Sequence, residues 1–368
     1  MAMRLARAGR RRIARAAGIV SGLAAGWLAL AVIVWACGES PREIAGQVLA
    51  GTWGMPYGIG QVLYKASMLL LTGVAVDVAL RAGLFNIGVE GQLAVAGLAV
   101  ATVGARLPLA TPGWIALPVV VCVALGAGAL WAAIPALLRA RFEAHEVIST
   151  IMMNRIADAA VGLALARGLA IPGTSRTPEV VPGARLSPLA AWGFPSMHGS
   201  AASVAFPLAL VVACLTAAWI ARSRVGRELV LVGLAPAACA AERIPVGRRA
   251  GAALLLSGAI GGLAAIAPVL GYKGYYESGL GAGAGFGGIA VALIGRRSVP
   301  GLVFAALFFG TLEQGGLAIN ARIPMEVTTV LEAIAIVAVA LADVPAGKGW
   351  RGLARLVSRE PSRAGGES

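Results

Sequence analysis

Apolar positions in this chain neither alternate nor stripe. They come in blocks of roughly twenty residues, and the polar positions are gathered into the short stretches between them. The blocks fall at 17–37, 59–80, 86–105, 114–138, 147–169, 202–221, 249–270, 282–295, 300–318 and 325–343. Crossing a hydrocarbon core takes about 20 helical residues. Lipid offers no partner to an unpaired backbone group, so the pattern predicts an all-α, polytopic integral membrane protein with about ten transmembrane helices. Composition agrees: 58% of the 368 residues are hydrophobic, 13% are charged, and the mean hydropathy is +0.82. A soluble globule cannot be covered with so little polar surface.

Two blocks break the pattern. "GLFNIGVEGQLAVAG", 83–97, puts Asn86, Glu90 and Gln92 among apolar residues and interrupts them with Gly83, Gly88, Gly91 and Gly97. "GLGAGAGFGGIAVALIG", 279–295, has only about ten apolar residues after its last glycines, too few to span alone. Both read as interrupted half-helices. Such segments in the two halves of a transporter mark its solute path, because irregular backbone is tolerated where it lines a cavity. "FNIG" at 85 echoes "FGGI" at 286, and "EVIST" at 146 echoes "EVTTV" at 326, which suggests an internal repeat.

Asn86 and Gln92 offer donors and acceptors suited to hydroxyls or base edges, and buried amides are expensive without partners. Glu90 has two open readings: a carboxylate facing the cavity, or a structural charge paired with Arg81 or Arg106. The same choice applies to Asp77, Asp158, Glu313 and Glu332, and Asp77 with Arg81 is most simply a helix-face pair. Gly287 would leave a narrow gap beside a broken helix. Phe286 is by default a packing residue and alternatively an apolar gate or a stacking surface.

The formal net charge of +14 changes the picture only through its distribution. Arginines cluster at 4–15, 139–141, 222–249, 296–297 and 351–363, always between apolar blocks or at a terminus, without interleaved aromatics. That distribution follows the positive-inside rule and not a nucleic-acid surface. It puts both termini in the cytoplasm: a basic N-terminus 1–16, a transmembrane domain 17–343 and a tail 344–368. Within the domain, the Pro- and Ser-rich 171–200 is an extracytoplasmic loop, and 222–248 is cytoplasmic. The opening residues have the layout of a signal peptide and Val34–Cys37 faintly resembles a lipoprotein box. Trp35 fits that box poorly, so an uncleaved first span is expected.

Chemistry is scarce. Cys37, Cys122, Cys214 and Cys239 show no C-x-x-C spacing, His145 and His198 are isolated, and no metal site is expected. "AGKGW" at 346–350 lacks the upstream glycine and the following hydroxyl of a phosphate-binding loop. No nucleophile, base or carboxylate pair forms a catalytic constellation. The chain therefore reads as a transport subunit and not an enzyme, with no cofactor of its own. Energy would enter through the cytoplasmic segment after Arg222. There a short helix of small residues, Pro236–Glu242, is followed by Ile244 and Pro245, and small side chains let a helix lie closely in a partner's groove.

Four blocks, in order, carry a resemblance. "VGRELVLVGLAPAACAAERIPVGRRAGAALLLSGAIGGLAA" resembles the coupling loop of the membrane permeases of ABC importers in the ribose, simple-sugar and nucleoside branch. Gly226, Gly233, Ala237, Ala238, Ser257 and Gly258 stand at matching positions. Arg243 stands where that family usually has glycine. "FNIGVEGQLAVAG", "HEVISTIMMNRIA" and the block from Gly283 to Gly316 resemble three further motifs, together covering about residues 60–343. The resemblance implies a permease subunit in a bacterial inner membrane. It implies a path through Asn86, Glu90, Gln92, Asn154, Phe286 and Gly287, and a coupling contact through Gly233, Ala237, Ala238, Glu242, Arg243, Ile244 and Pro245. Implied partners are a cytoplasmic ABC ATPase that hydrolyses the ATP, a second identical or related permease, an extracytoplasmic binding protein and membrane lipid, with no nucleic acid. The glutamate in N-I-G-V-E-G-Q looks more like nucleoside than sugar members. A ribose- or galactose-type permease is the alternative, and an ion-coupled secondary transporter or a scaffold protein would be further ones.

Overall fold

The computed structural model describes residues 34–295 and 297–324, together with positions 28, 31, 32, 329, 330, 333 and 334. The expected first and last spans lie largely outside the described residues; the basic N-terminus, the C-terminal tail, Arg296, Glu332 and most of "EVTTV" lie wholly so. Two units are distinguished, 45–321 and a smaller one built from residues up to Ile44 and from Arg322 onward. In the smaller unit Arg322 Nη1 pairs with Glu39 and Glu43, each at 3.3 Å.

The helices, in order, are α1 (Pro41–Thr52), α2 (Pro56–Arg81), α3 (Val89–Arg106), α4 (Gly113–Phe142), α5 (Glu146–Ala164), α6 (Ala205–Arg222), α7 (Arg224–Leu234), α8 (Pro236–Ala241), α9 (Val246–Leu263), α10 (Ala284–Gly295) and α11 (Val299–Ile319). A π turn at Leu165–Leu169 prolongs α5, and a short turn with a π turn carries α9 to Lys273. Among the described residues six helical stretches are long and apolar enough to cross a membrane: 56–81, 113–142, 146–169, 205–222, 246–273 and 299–319. The expected spans 86–105 and 282–295 appear as α3, which begins only at Val89, and as α10, which has 12 residues. At 1.5 Å per residue α10 is about 18 Å long, well short of a hydrocarbon core of about 30 Å.

Local signals explain several ends. Pro56 and Pro236 occupy first-turn positions, where a missing N–H costs nothing. Ser223 and Ser298 cap α7 and α11 by accepting from the amides of Gly226 (2.9 Å) and Gly301 (3.3 Å).

Equally apolar helices take different places. In α2 and in the 246–273 stretch 83% of the most apolar window is buried, against 22% in α6 and 28% in α4 and α5. The two buried helices form the centre, and small residues let neighbours approach them. A methyl group added at Gly258 would lie 2.3 Å from Ala132 Cβ, and one at Gly262 would lie 2.4 Å from the Ala124 carbonyl, so α4 crosses α9 almost backbone to backbone. The 171–200 segment is ordered: amides of Thr177, Val180 and Leu186 donate to the carbonyls of Tyr276, Gly274 and Leu270 at 2.8, 2.8 and 2.9 Å.

Candidate functional site

The chain leaves α2 through a turn in which Gly83 has φ +73° and the Leu84 amide donates back to the Ala79 carbonyl at 3.0 Å. Asn86 is fully buried there, and its side chain is completely engaged. Its Nδ2 donates to Ser257 Oγ (2.8 Å) and Gln92 Oε1 (3.1 Å), while its Oδ1 accepts from the Gly88 amide (3.0 Å) and Gln92 Nε2 (3.3 Å). Ser257 Oγ in turn donates to the Ala75 carbonyl at 2.6 Å. Asn154, on α5, clamps the same turn from the other side: its Nδ2 donates to the Ile87 carbonyl and its Oδ1 accepts from the Gly91 amide, both at 2.9 Å. The three amides thus lock four helices around one irregular segment. None of the Asn86 donor and acceptor sites is left over for a solute.

Glu90 does what none of its charged neighbours could have suggested. Its carboxylate pairs with neither Arg81 nor Arg106 and accepts instead from the Gly283 amide at 2.6 Å and the Gly285 amide at 2.8 Å. These are free donors at the start of α10, so a residue in the first turn of α3 caps the broken end of α10. Thr72 Oγ1 holds the same end by donating to the Ala284 carbonyl at 2.8 Å. The two glycine-broken segments therefore meet. Closeness is built in: a Cβ at Gly285 would lie 2.4 Å from the Glu90 amide nitrogen, and one at Gly287 would lie 2.6 Å from Leu69 Cδ2. Phe286 points outward and is 51% exposed. Beside the junction opens a cavity of about 200 Å³ lined by Glu90, Leu93, Asp158, Val161, Tyr276 and Leu280, among others.

Asp77 and Arg81 form the expected pair, Nε to Oδ2 at 2.7 Å, and Arg81 also donates to the Arg297 carbonyl. Gly233 packs against this same corner. A methyl group on it would sit 2.2 Å from the Arg81 carbonyl and 2.6 Å from the Gly83 amide, so only glycine lets α7 touch the turn after α2. Beyond it, α8 buries Cys239 and leaves Ala237, Ala238, Glu242, Arg243 and Pro245 exposed, with Ile244 half-buried. Its end is closed by two bonds, Ile244 N–H to the Cys239 carbonyl (2.9 Å) and Arg243 N–H to the Ala240 carbonyl (3.1 Å). This arrangement places Arg243 at φ +57°, the position that prefers glycine. Glu228 fixes the platform by accepting from Arg224 Nε (2.8 Å) and Arg249 Nε (2.6 Å). With the Arg224 hydrogen bond foremost and Arg249 next, its carboxyl is held below the ordinary glutamate range.

Sequence reasoning missed Thr72 as a partner of α10 and the Gly283 and Gly285 amides as partners of Glu90. Hydroxyls that bond across 212 residues leave no local signal. A helix beginning in a glycine run does advertise free amides, and that was the available clue.

A family profile described as "Branched-chain amino acid transport system / permease component" matches residues 58–340. The guanosine ABC transporter permease protein NupP of Bacillus subtilis is 36% identical over 329 residues, covering 88% of this chain and 91% of that one. The glucose ABC transporter permease protein TsgB13 of Haloferax volcanii is 31% identical over 345 residues, covering 86% and 84%. The nucleoside ABC transporter permease protein NupB of Lactococcus lactis is 28% identical over 322 residues, covering 86% and 88%. No solved structure matches the chain. With several membrane-spanning helices, an exposed small-residue helix after α7 and a match running through nearly the whole described region, the chain belongs to the ABC transporter permease family, as a multi-pass importer subunit of the cytoplasmic membrane that lacks the ATPase domain.

Proposed function

We propose that this permease imports a nucleoside. It works as one half of a pair with a second permease, receives solute from an extracytoplasmic binding protein, and is driven by a separate ATPase that docks on Ala235–Pro245; the chain itself binds no cofactor. One observation carries the nucleoside reading. Glu90, the residue that gives N-I-G-V-E-G-Q its nucleoside-type form, is the residue that joins the two broken segments. Relatives named for guanosine and nucleoside transport support it. In this reading the chain has about ten spans with cytoplasmic termini, and α3 and α10 are half-helices whose N-terminal ends meet within the bilayer. Glu90, Phe286 and Gly287 border the path. Asn86, Gln92 and Asn154 are positioning residues that hold the α3 end in place.

Radiolabelled uptake in cells carrying the complete system tests the reading, with guanosine, adenosine, uridine and cytidine competing against ribose, galactose and glucose. Competition by nucleosides alone is expected. Competition by sugars alone moves the chain to the second reading, a sugar permease, which the similarity to a glucose permease favours. Orientation is tested separately: Ser187→Cys, an exposed position, should be labelled by an impermeant reagent from outside intact cells.

A further inference from the structure

A polar strip runs along the contact between α2 and α11, away from the amide lock. Tyr57, Gln61, Tyr64 and Lys65 recur at helical spacing on one face of α2, and Gln61 Nε2 donates to the Tyr57 hydroxyl at 2.8 Å. Lys65 Nζ pairs with Glu313 of α11 at 3.5 Å, and the Tyr64 ring meets Tyr272 with centroids 5.1 Å apart. The helices touch closely here, since a Cβ at Gly310 would lie 3.0 Å from the Val62 carbonyl.

Aromatics near the start of a span belong ordinarily to an interfacial belt, and Tyr57 fits that description. Lys65 does not. It lies about 14 Å along α2, and Glu313 lies about 9 Å before the end of α11, at 1.5 Å per residue. A charge at mid-bilayer costs about 2.5–3.5 kcal/mol, and such residues mark solute pathways by default. Neither partner is sealed in the core: the side chains remain 15% and 28% exposed. Tyr272 is 47% exposed, and the Lys273 ammonium lies 5.4 Å from its ring centroid.

We propose that this strip is the solute-selecting wall of the permease: Tyr272, backed by the tilted ring of Tyr64, presents its exposed aromatic surface to a nucleobase, Lys65 donates to its carbonyl or ring nitrogen, and Glu313 accepts from its N–H groups. The assignment rests on the nucleoside reading above. It gives that reading a basis for selectivity, because a sugar offers neither a flat face nor an N–H donor. Base stacking on an aromatic ring and a hydrogen bond to a charged group are each substantial and together suffice to discriminate.

The decisive variant replaces the pair at once, Lys65→Met with Glu313→Leu. Exchanging an ion pair shielded from water for apolar residues of similar size is often neutral or stabilising for a fold, so a purely structural pair predicts a normal protein with native uptake. The expected result is a thermal midpoint at or above the native one with nucleoside uptake lowered about tenfold to hundredfold, the effect of losing a charge-assisted hydrogen bond. Tyr272→Ala should raise the apparent KM for uptake about tenfold, and Tyr272→Phe should restore it. Native-rate nucleoside uptake by the double variant overturns the proposal. So does loss of cross-linking between two permease subunits in that variant, which would make the strip a chain-to-chain contact. If the unaltered protein transports sugars and no nucleoside, the nucleoside reading itself fails, whatever the variants do.

Discussion

Residues 83–92 and 235–245 look alike in sequence, both short and rich in glycine or alanine, and they violate the demands of their surroundings in opposite directions. The first buries two amides among apolar helices. The second leaves alanines and two prolines exposed beside charged residues. In the first every side-chain donor and acceptor of Asn86 is matched inside the protein, so the polar groups fix a shape. In the second the backbone is capped and, Cys239 and Ile244 apart, the side chains are exposed, which leaves a surface of small residues available to the proposed ATPase partner. Polarity in the wrong solvent is a lock when satisfied internally; exposed smallness is what the proposed docking on the ATPase would use. Gly233 joins the two, because its missing side chain lets α7 rest on the turn that leads to Asn86.

The largest effect should come from breaking the lock. Asn86→Leu leaves Ser257 Oγ, the Gly88 amide and Gln92 with missing partners in a dry interior, and each unsatisfied group costs about 1–3 kcal/mol. A loss of at least about 3 kcal/mol is expected, seen as a lower thermal midpoint and reduced protein in the membrane. Uptake should fall in proportion to folded protein. A native midpoint with abolished uptake would show instead that the amides serve the solute, and the contrast between the two regions would collapse.

Ala238→Arg should do the reverse. An exposed position tolerates the change within about 0.5 kcal/mol. A bulky charge on α8 should nevertheless block a groove on the ATPase, so solute-stimulated ATP hydrolysis in reconstituted vesicles should disappear while the midpoint holds. Unchanged stimulation would remove α8 from the coupling contact.

Hydropathy made the spans legible: 59–80 and 114–138 were readable from the chain and are found at 56–81 and 113–142. What it hid was depth. α2 and α6 are both apolar enough to cross, and only packing makes one central and the other peripheral. Gly258 and Gly262 carried a hint of the close crossing with α4, but glycine in a membrane helix does not name its neighbour. The site was half legible. Asn86, Glu90 and Gln92 stood out because lipid is the wrong place for them, while their partners lie 171 and 193 residues away in Ser257 and Gly283. Glu90 was weighed against arginines, the usual partners of a carboxylate; a glycine-rich helix start supplies backbone amides, which charge matching does not count.

A smaller effect concerns the platform beneath α8. Glu228 ties α7 to the first turn of α9 through Arg224 and Arg249, and these hold its carboxyl below the usual range. A depressed value in the folded state means that the contribution is complete above the unfolded value of about 4.3 and is lost as pH falls through the lower folded value. Comparing native protein with Glu228→Gln from pH 6 to pH 3 should show a gap in thermal midpoint that is steady at first and closes below about 4.3. A gap that widens on acidification would contradict the arrangement.

The smallest effect isolates the backbone of the proposed docking segment from its surface. Arg243 terminates α8 at φ +57°, with Ile244 and Arg243 amides returning to the Cys239 and Ala240 carbonyls. An L side chain pays about 1–2 kcal/mol in that conformation and glycine does not, although glycine also gains freedom in the unfolded chain. Arg243→Gly should therefore stabilise the protein by about 1 kcal/mol or less, and amide exchange at Ile244 should slow, since its hydrogen bond opens less often. Solute-stimulated ATP hydrolysis then separates two roles for the arginine. If stimulation persists, α8 needs only its shape and small side chains. If it falls while Ile244 exchanges more slowly, the guanidinium itself meets the ATPase, and the docking surface is charged at one end in addition to being small.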